Sequence, residues 1–255
     1  MPDKSTLEVC LTPGLLPLYP INGKVVVVID VLRATTTMCV ALDQGAEKVI
    51  PVETIDECLS YKGREGYILA GERNGRKVEG FHFGNSPFEF MNGVVKGKIL
   101  VLTTTNGTRA IKMTESSHQV VIGGFLNFSA LAKWLISEGK DTLLLCSGWR
   151  DKFNLEDTVF AGALIHHIKE FFLVDSDSAF AAEKLYLNSR RNMFHFMKQS
   201  SHYRRLAHLG VINDIKYCLR PDLTDVVPVL KNGELVRADF RKDMEGEFFS
   251  LNDLD

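Results

Sequence analysis

Five consecutive β-branched residues, Val25–Ile29, run straight into Asp30-Val31-Leu32-Arg33-Ala34-Thr35-Thr36-Thr37, and that junction limits the folds open to the chain. It reads as an apolar strand ending in a polar loop that opens a helix. The same switch recurs where 99–102 meet Thr103-Thr104-Thr105-Asn106-Gly107-Thr108-Arg109, and where 143–145 meet Cys146-Ser147-Gly148-Trp149-Arg150-Asp151. Each loop brings hydroxyls and an arginine, and the first and third add a carboxylate. Unpaired N–H groups and the positive end of the dipole make a helix N-terminus an anion site. In an open α/β sheet such loops share one edge, at the carboxyl ends of the strands, where ligands bind. The expectation is an enzyme for a small, multiply charged anion.

A formal charge of −2 over 255 residues exerts no long-range pull on nucleic acid or membrane, and no Lys/Arg block forms a tail. Arg190-Arg191 and Arg204-Arg205 read as solvated helix faces. The five cysteines are scattered without a CxxC pair, which argues against zinc-ribbon and thioredoxin-type sites and for reduced thiols. The first residues, Met1-Pro2-Asp3-Lys4-Ser5, form no apolar signal region, and no stretch approaches a membrane span. A cytoplasmic protein is expected, with neither nucleic acid nor membrane as a partner and a homo-oligomer left open.

Strands are expected at 7–11, 25–29, 48–52, 67–70, 98–102, 119–122 and 142–145, interleaved with helices at 36–44, 54–61, from 107, and at 127–136. Thr54 with Glu57 three residues on marks a helix start. The stretch 71–93 is glycine-rich and aromatic without a period; a loop of that length is functional when ordered. Beyond it lie helical patterns at 155–172, 177–197, 201–209 and 211–218. A hairpin turn at Lys231-Asn232-Gly233 separates two short strands. The organisation is a single α/β domain over 6–240 whose last third is helix-rich, with 241–255 as a tail.

Asp30 stands at a strand tip, where it is either a helix cap or a metal ligand or catalytic carboxylate. Arg33 beside it can fork onto an anion, and Thr35, Thr36 and Thr37 offer hydroxyls to phosphate oxygens. Gly71-Glu72-Arg73-Asn74-Gly75 is either a surface hairpin or part of a site. His82 on its own reads as a structural hydrogen-bonder. Thr104, Thr105, Asn106, Gly107 and Thr108 form the most phosphate-like stretch, because Asn106-Gly107 permits a left-handed turn that aims successive N–H groups one way. Arg109 adds a charge on the first helical turn. Glu156 and Asp157 either complement a helix dipole or, with Asp30 and Glu72, suit a hard cation such as Mg²⁺. The spacing excludes a P-loop and a dinucleotide fingerprint. Asp175-Ser176-Asp177-Ser178 reads as a capped helix start, and His166-His167 as structural.

Read together and in order, Asp30–Thr37, Gly71-Glu72-Arg73, Gly80-Phe81 with Gly84-Asn85-Ser86-Pro87, Thr103–Thr108, Leu155-Glu156-Asp157 and Asn213-Asp214-Ile215 closely resemble the 2-phosphosulfolactate phosphatase (ComB) family. The resemblance runs from about Thr6 to Phe240. It implies a three-layer α/β/α fold and a Mg²⁺-dependent hydrolase that converts (R)-2-phospho-3-sulfolactate to (R)-3-sulfolactate and phosphate, a step towards coenzyme M. One departure stands out: Ser147-Gly148-Trp149-Arg150 replaces a smaller segment, and the bulk of Trp149 bears on the pocket. Other small phosphoesters, such as phospholactate or phosphoglycolate, and non-catalytic binding of an anionic metabolite are the alternatives.

The mechanism expected is a single displacement at phosphorus, with covalent attack by Asp30 as a variant. Asp30, Glu72, Glu156 and Asp157 are the expected metal ligands or bases. Arg33, Arg109 and the 103–108 backbone would neutralise phosphoryl charge. Arg73 or Arg150 would take the sulfonate or carboxylate end, and His82 would protonate the leaving alkoxide.

Overall fold

In the computed structural model, which describes residues 4–239, ten strands form one sheet. They are β1 (Leu7–Cys10), β2 (Val25–Ile29), β3 (Lys48–Pro51), β4 (Tyr67–Arg73), β5 (Arg76–Lys77), β6 (Ile99–Thr103), β7 (Gln119–Gly123), β8 (Thr142–Cys146), β9 (Pro228–Lys231) and β10 (Glu234–Arg237). The helices are α1 (Ala34–Asp43), α2 (Ile55–Leu59), α3 (Gly107–Met113), α4 (Phe128–Glu138), α5 (Leu155–Ile168), α6 (Asp177–Ser189), α7 (Met193–Met197), α8 (Ser201–His208) and α9 (Ile212–Cys218). The expected tail 241–255, and Phe240 before it, lie outside the described residues.

The sheet order is β1-β8-β2-β7-β9-β10-β3-β6-β4-β5. The first four strands are parallel, and so are β3, β6 and β4. Between these halves the β9–β10 hairpin runs antiparallel to both neighbours. Those reversals corrected one expectation: the two halves run in opposite directions, so their loops do not share the edge of a uniformly parallel sheet. Loops from both halves nonetheless reach one place, and the general right-handed twist of sheets, about 20–25° per strand, favours that approach. The joins are thin, with single register pairs at Val121↔Val229 and Leu235↔Val49.

The alternation of side chains sorts β2 between two cores. Val25, Val27 and Ile29 face the layer of α4, α5 and α6, whereas Val26 and Val28 face α1 and α3. That second core also takes Leu100 and Leu102 of β6, so α1 and α3 lie between the halves of the sheet. On the far face of β3, β4 and β6, α2 covers Ile50, Leu69 and Val101. The result is the three-layer α/β/α arrangement.

Local signals explain most boundaries. Thr54 caps α2 by accepting from the Glu57 N–H at 3.0 Å. Ser176 caps α6, and Asn192 caps α7 by accepting from His195, which splits the pattern at 177–197 into two helices. The 71–93 stretch is ordered by the β4–β5 hairpin and by Glu89, whose Oε2 accepts from Gly84 and Ser86. Both helical histidines are structural: His166 meets Glu183, and His167 meets the Ala163 carbonyl. Among the described residues no helix is long and apolar enough to cross a membrane, and all five cysteines are free and buried.

Helices α5 and α6 pack so closely that a Cβ on Gly162 would lie 1.9 Å from the Ala182 carbonyl oxygen. Backbone cannot give way as a flexible side chain can. Gly162→Ala is therefore expected to cost about 1–3 kcal/mol, lowering the melting temperature by several degrees. An unchanged melt would contradict this packing.

Candidate active site

The loops after β2, β4, β6 and β8 meet beneath α8 around a cavity of about 140 Å³. Asp30, Arg33, Glu72, Asn106, Trp149, His202 and Arg205 supply its polar lining, and Leu32, Leu206 and Leu209 its apolar wall. Gly107 makes the meeting of the halves sterically feasible. A Cβ there would stand 2.6 Å from the Ala34 Cβ and 2.9 Å from Asp30 Oδ2, so only glycine lets α3 begin against Asp30.

Much of the expected chemistry goes into bracing these loops. Thr35 Oγ1 accepts from the Asp30 N–H, and Thr36 Oγ1 donates to the Val31 carbonyl. Thr104 and Thr108 bond to each other through hydroxyl and backbone. Glu72 Oε1 accepts from the Thr105 N–H at 2.7 Å and Oε2 from the Gly75 N–H at 2.6 Å, tying the β4–β5 hairpin to the β6 loop. Asp157 accepts from the Val31 and Gly148 N–H groups and from Asn154. Arg33 Nη1 donates to Asp214 Oδ2 at 2.5 Å, with both side chains under a tenth exposed. That pair explains the Asn213-Asp214-Ile215 motif, to which the sequence alone attached no role.

Of the expected site residues, Asp30, Arg33, Glu72 and Asn106 line the cavity, and the remaining expected cations and His82 are engaged elsewhere. Arg109 pairs with Asp151 at 2.9 Å, both more than a third exposed. His82 is exposed, and its Nδ1 accepts from the Leu69 N–H. Arg73 donates to the Glu72 and Glu53 carbonyls and to Thr103. Arg150 bonds Asn74 Oδ1 and sits over Trp149, with its guanidinium carbon 5.3 Å from the ring. The four carboxylates do not converge as one ligand set either. Among the described residues no three His, Cys, Asp or Glu side chains form a metal-holding group. Glu156 is fully buried, and its Oε1 accepts from His202 Nδ1.

The residues missed in the sequence sit on α8. His202, Arg205, Leu206 and Leu209 recur at i, i+3, i+4 and i+7, one face of a helix. Arg205 lies over Trp149 with its guanidinium carbon 4.3 Å from the ring centre, which corrects its reading as a solvated residue. Burial pulls this guanidinium below its ordinary pKa, with Glu156 opposing and Arg150 adding to the fall. Asp30 is pushed up to about 6, first by burial, then by Glu72 and Glu156, against the pull of His202 and the Ala34 N–H. Burial, with Asp30 and Glu156 nearby, holds Asp157 well above the usual carboxylate range. The cavity thus sets two carboxylates, Asp30 and Glu72, beside Arg33, His202 and Arg205.

Residues 10–233 match the family model described as 2-phosphosulpholactate phosphatase. The chain belongs to this family. A probable 2-phosphosulfolactate phosphatase of Caldanaerobacter subterraneus is 44% identical over 217 residues, covering 84% of this chain and 90% of its own. One from Thermotoga maritima is 43% identical over 226 residues, covering 89% and 97%, and one from Clostridium acetobutylicum 38% over 220, covering 85% and 93%. Membership makes the chain a phosphoric monoester hydrolase. The matched span includes all the cavity-lining residues named above, from Asp30 to Leu209.

Proposed function

We propose that the chain hydrolyses (R)-2-phospho-3-sulfolactate to (R)-3-sulfolactate and phosphate, with Mg²⁺ bound at Asp30. The observation that carries this reading is the company Asp30 keeps: Arg33, His202 and Arg205 share a cavity of about 140 Å³ with it. A substrate with phosphate, carboxylate and sulfonate groups needs several cations within a few ångströms, and a pure anion pocket gains nothing from carboxylates.

The donor set fits Mg²⁺ in its modest requirement. This ion takes one or two carboxylates and fills its octahedron with water and phosphate oxygens. Asp30 lines the cavity, and its Oδ2 accepts no hydrogen bond among the described residues, whereas Glu72 and Asp157 are committed to backbone N–H groups. Burial first, and then the neighbouring Glu72 and Glu156, make an uncompensated negative charge on Asp30 costly, so a cation beside it would relieve that cost. Bound there, Mg²⁺ would neutralise phosphoryl charge and polarise the ester.

Arg33, held by Asp214, faces the phosphoryl oxygens with a fixed guanidinium. Arg205, lying over Trp149 in the cavity lining, provides the cation for the sulfonate end, a role that the sequence left open between Arg73 and Arg150. Leu32, Leu206 and Leu209 exclude water, which strengthens each charge contact. The test is phosphate release from 2-phospho-3-sulfolactate in EDTA and after restoring Mg²⁺. Release is expected to vanish in EDTA and return with the ion; undiminished release in EDTA would remove Mg²⁺ from the account.

A further inference from the structure

An alkyl phosphoester leaves as an alkoxide, a poor leaving group unless it is protonated as its bond to phosphorus breaks. His82, the histidine beside the sequence motifs, is exposed, accepts the Leu69 N–H and does not line the cavity. His202 does line the cavity, on α8. Its Nδ1 meets Oε1 of Glu156, a carboxylate with no exposed surface. A carboxylate can only accept, so Nδ1 carries a proton, the ring orientation is fixed, and Nε2 is the nitrogen left for the cavity. A buried carboxylate that orients an imidazole and leaves its other nitrogen free is the arrangement that catalytic triads use. Trp149 neighbours the imidazole, their ring centres 6.1 Å apart.

We infer that His202 is the general acid of the hydrolysis and that Glu156 is the residue that positions it. This rests on the function proposed above and names the residues that complete its chemistry. Water attacks phosphorus, the phosphorus–ester oxygen bond breaks with its electron pair going to that oxygen, and Nε2–H delivers its proton there. One water proton stays on the product phosphate, and the other restores the imidazolium.

The experiment compares two small substrates that differ in leaving group. 2-Phospho-3-sulfolactate releases an alkoxide, whereas acetyl phosphate releases acetate, which needs no proton. His202→Gln is expected to lower kcat on the sulfolactate ester about a hundredfold or more, and to lower kcat on acetyl phosphate at least about tenfold less than that. Glu156→Gln, which keeps an acceptor for Nδ1–H and removes the charge, is expected to show the same selectivity with a smaller loss. A parallel loss on both substrates, or none on the ester, would overturn the assignment. Failure of the unsubstituted enzyme to release phosphate from the ester would instead refute the function proposed above.

Discussion

Asp30→Asn is expected to lower phosphate release by about three orders of magnitude, on the scale of a lost electrostatic or acid–base group, while making the protein more resistant to heat above about pH 6. Both effects come from one placement. Asp30 sits at the strand tip because β2 ends there, and the Ala34 and Gly107 backbones close over it. Burial and the charges of Glu72 and Glu156 push it up to about 6 from its ordinary 3.8. A carboxyl whose pKa is raised on folding opposes the folded state once it ionises. The penalty is absent below the unfolded value and complete above about pH 6, where about two units correspond to about 3 kcal/mol. Asparagine removes that penalty, so melts in EDTA are expected to show stabilisation at about pH 8 and little change at about pH 4. Loss of stability at both, or retained turnover, would contradict the placement.

Arg33→Ala is expected to cost about 3–5 kcal/mol of stability and at least about a hundredfold in turnover. The stability loss arises because Asp214 would be left charged and nearly enclosed, not because the pair itself contributes that much. The two effects separate in a cycle. Arg33→Ala combined with Asp214→Ala is expected to recover part of the stability, since no unpaired charge remains, while turnover stays low. Chemical denaturation and phosphate release on the two single variants and the double variant check this. Recovery of turnover in the double variant would show that Arg33 does not face the substrate.

What the sequence revealed, it revealed through local rules. The switch from Ile29 to Asp30 marks a strand tip because apolar continuity ends abruptly there; Gly107 marks a helix start, but the left-handed turn expected at Asn106-Gly107 does not form, since Asn106 has φ −124°, and the glycine instead serves the close approach of Asp30 and Ala34. The antiparallel β9–β10 hairpin was legible as a hairpin, but not its seat between the two parallel halves. Strand order depends on pairings such as Val121↔Val229, which span the chain and leave no periodic trace. The same holds for α8. His202 and Arg205 share a helical face with Leu206, yet nothing local says whether that face meets solvent or a cavity built by loops more than fifty residues away. Hydroxyls are ambiguous for a related reason: Thr35, Thr104 and Thr108 are as well suited to bracing their own backbone as to meeting phosphate, and the bonds they make here are bracing ones.

The central claim is that this cavity is built for a phosphoester with two further acid groups. Initial rates of phosphate release from 2-phospho-3-sulfolactate, phospholactate and phosphoglycolate, all with Mg²⁺, test it most directly. The account predicts the highest kcat/KM for the sulfonated substrate, by about tenfold or more over phospholactate, the scale of one charged contact. Equal kcat/KM for all three, or release from none of them by folded protein, would contradict it.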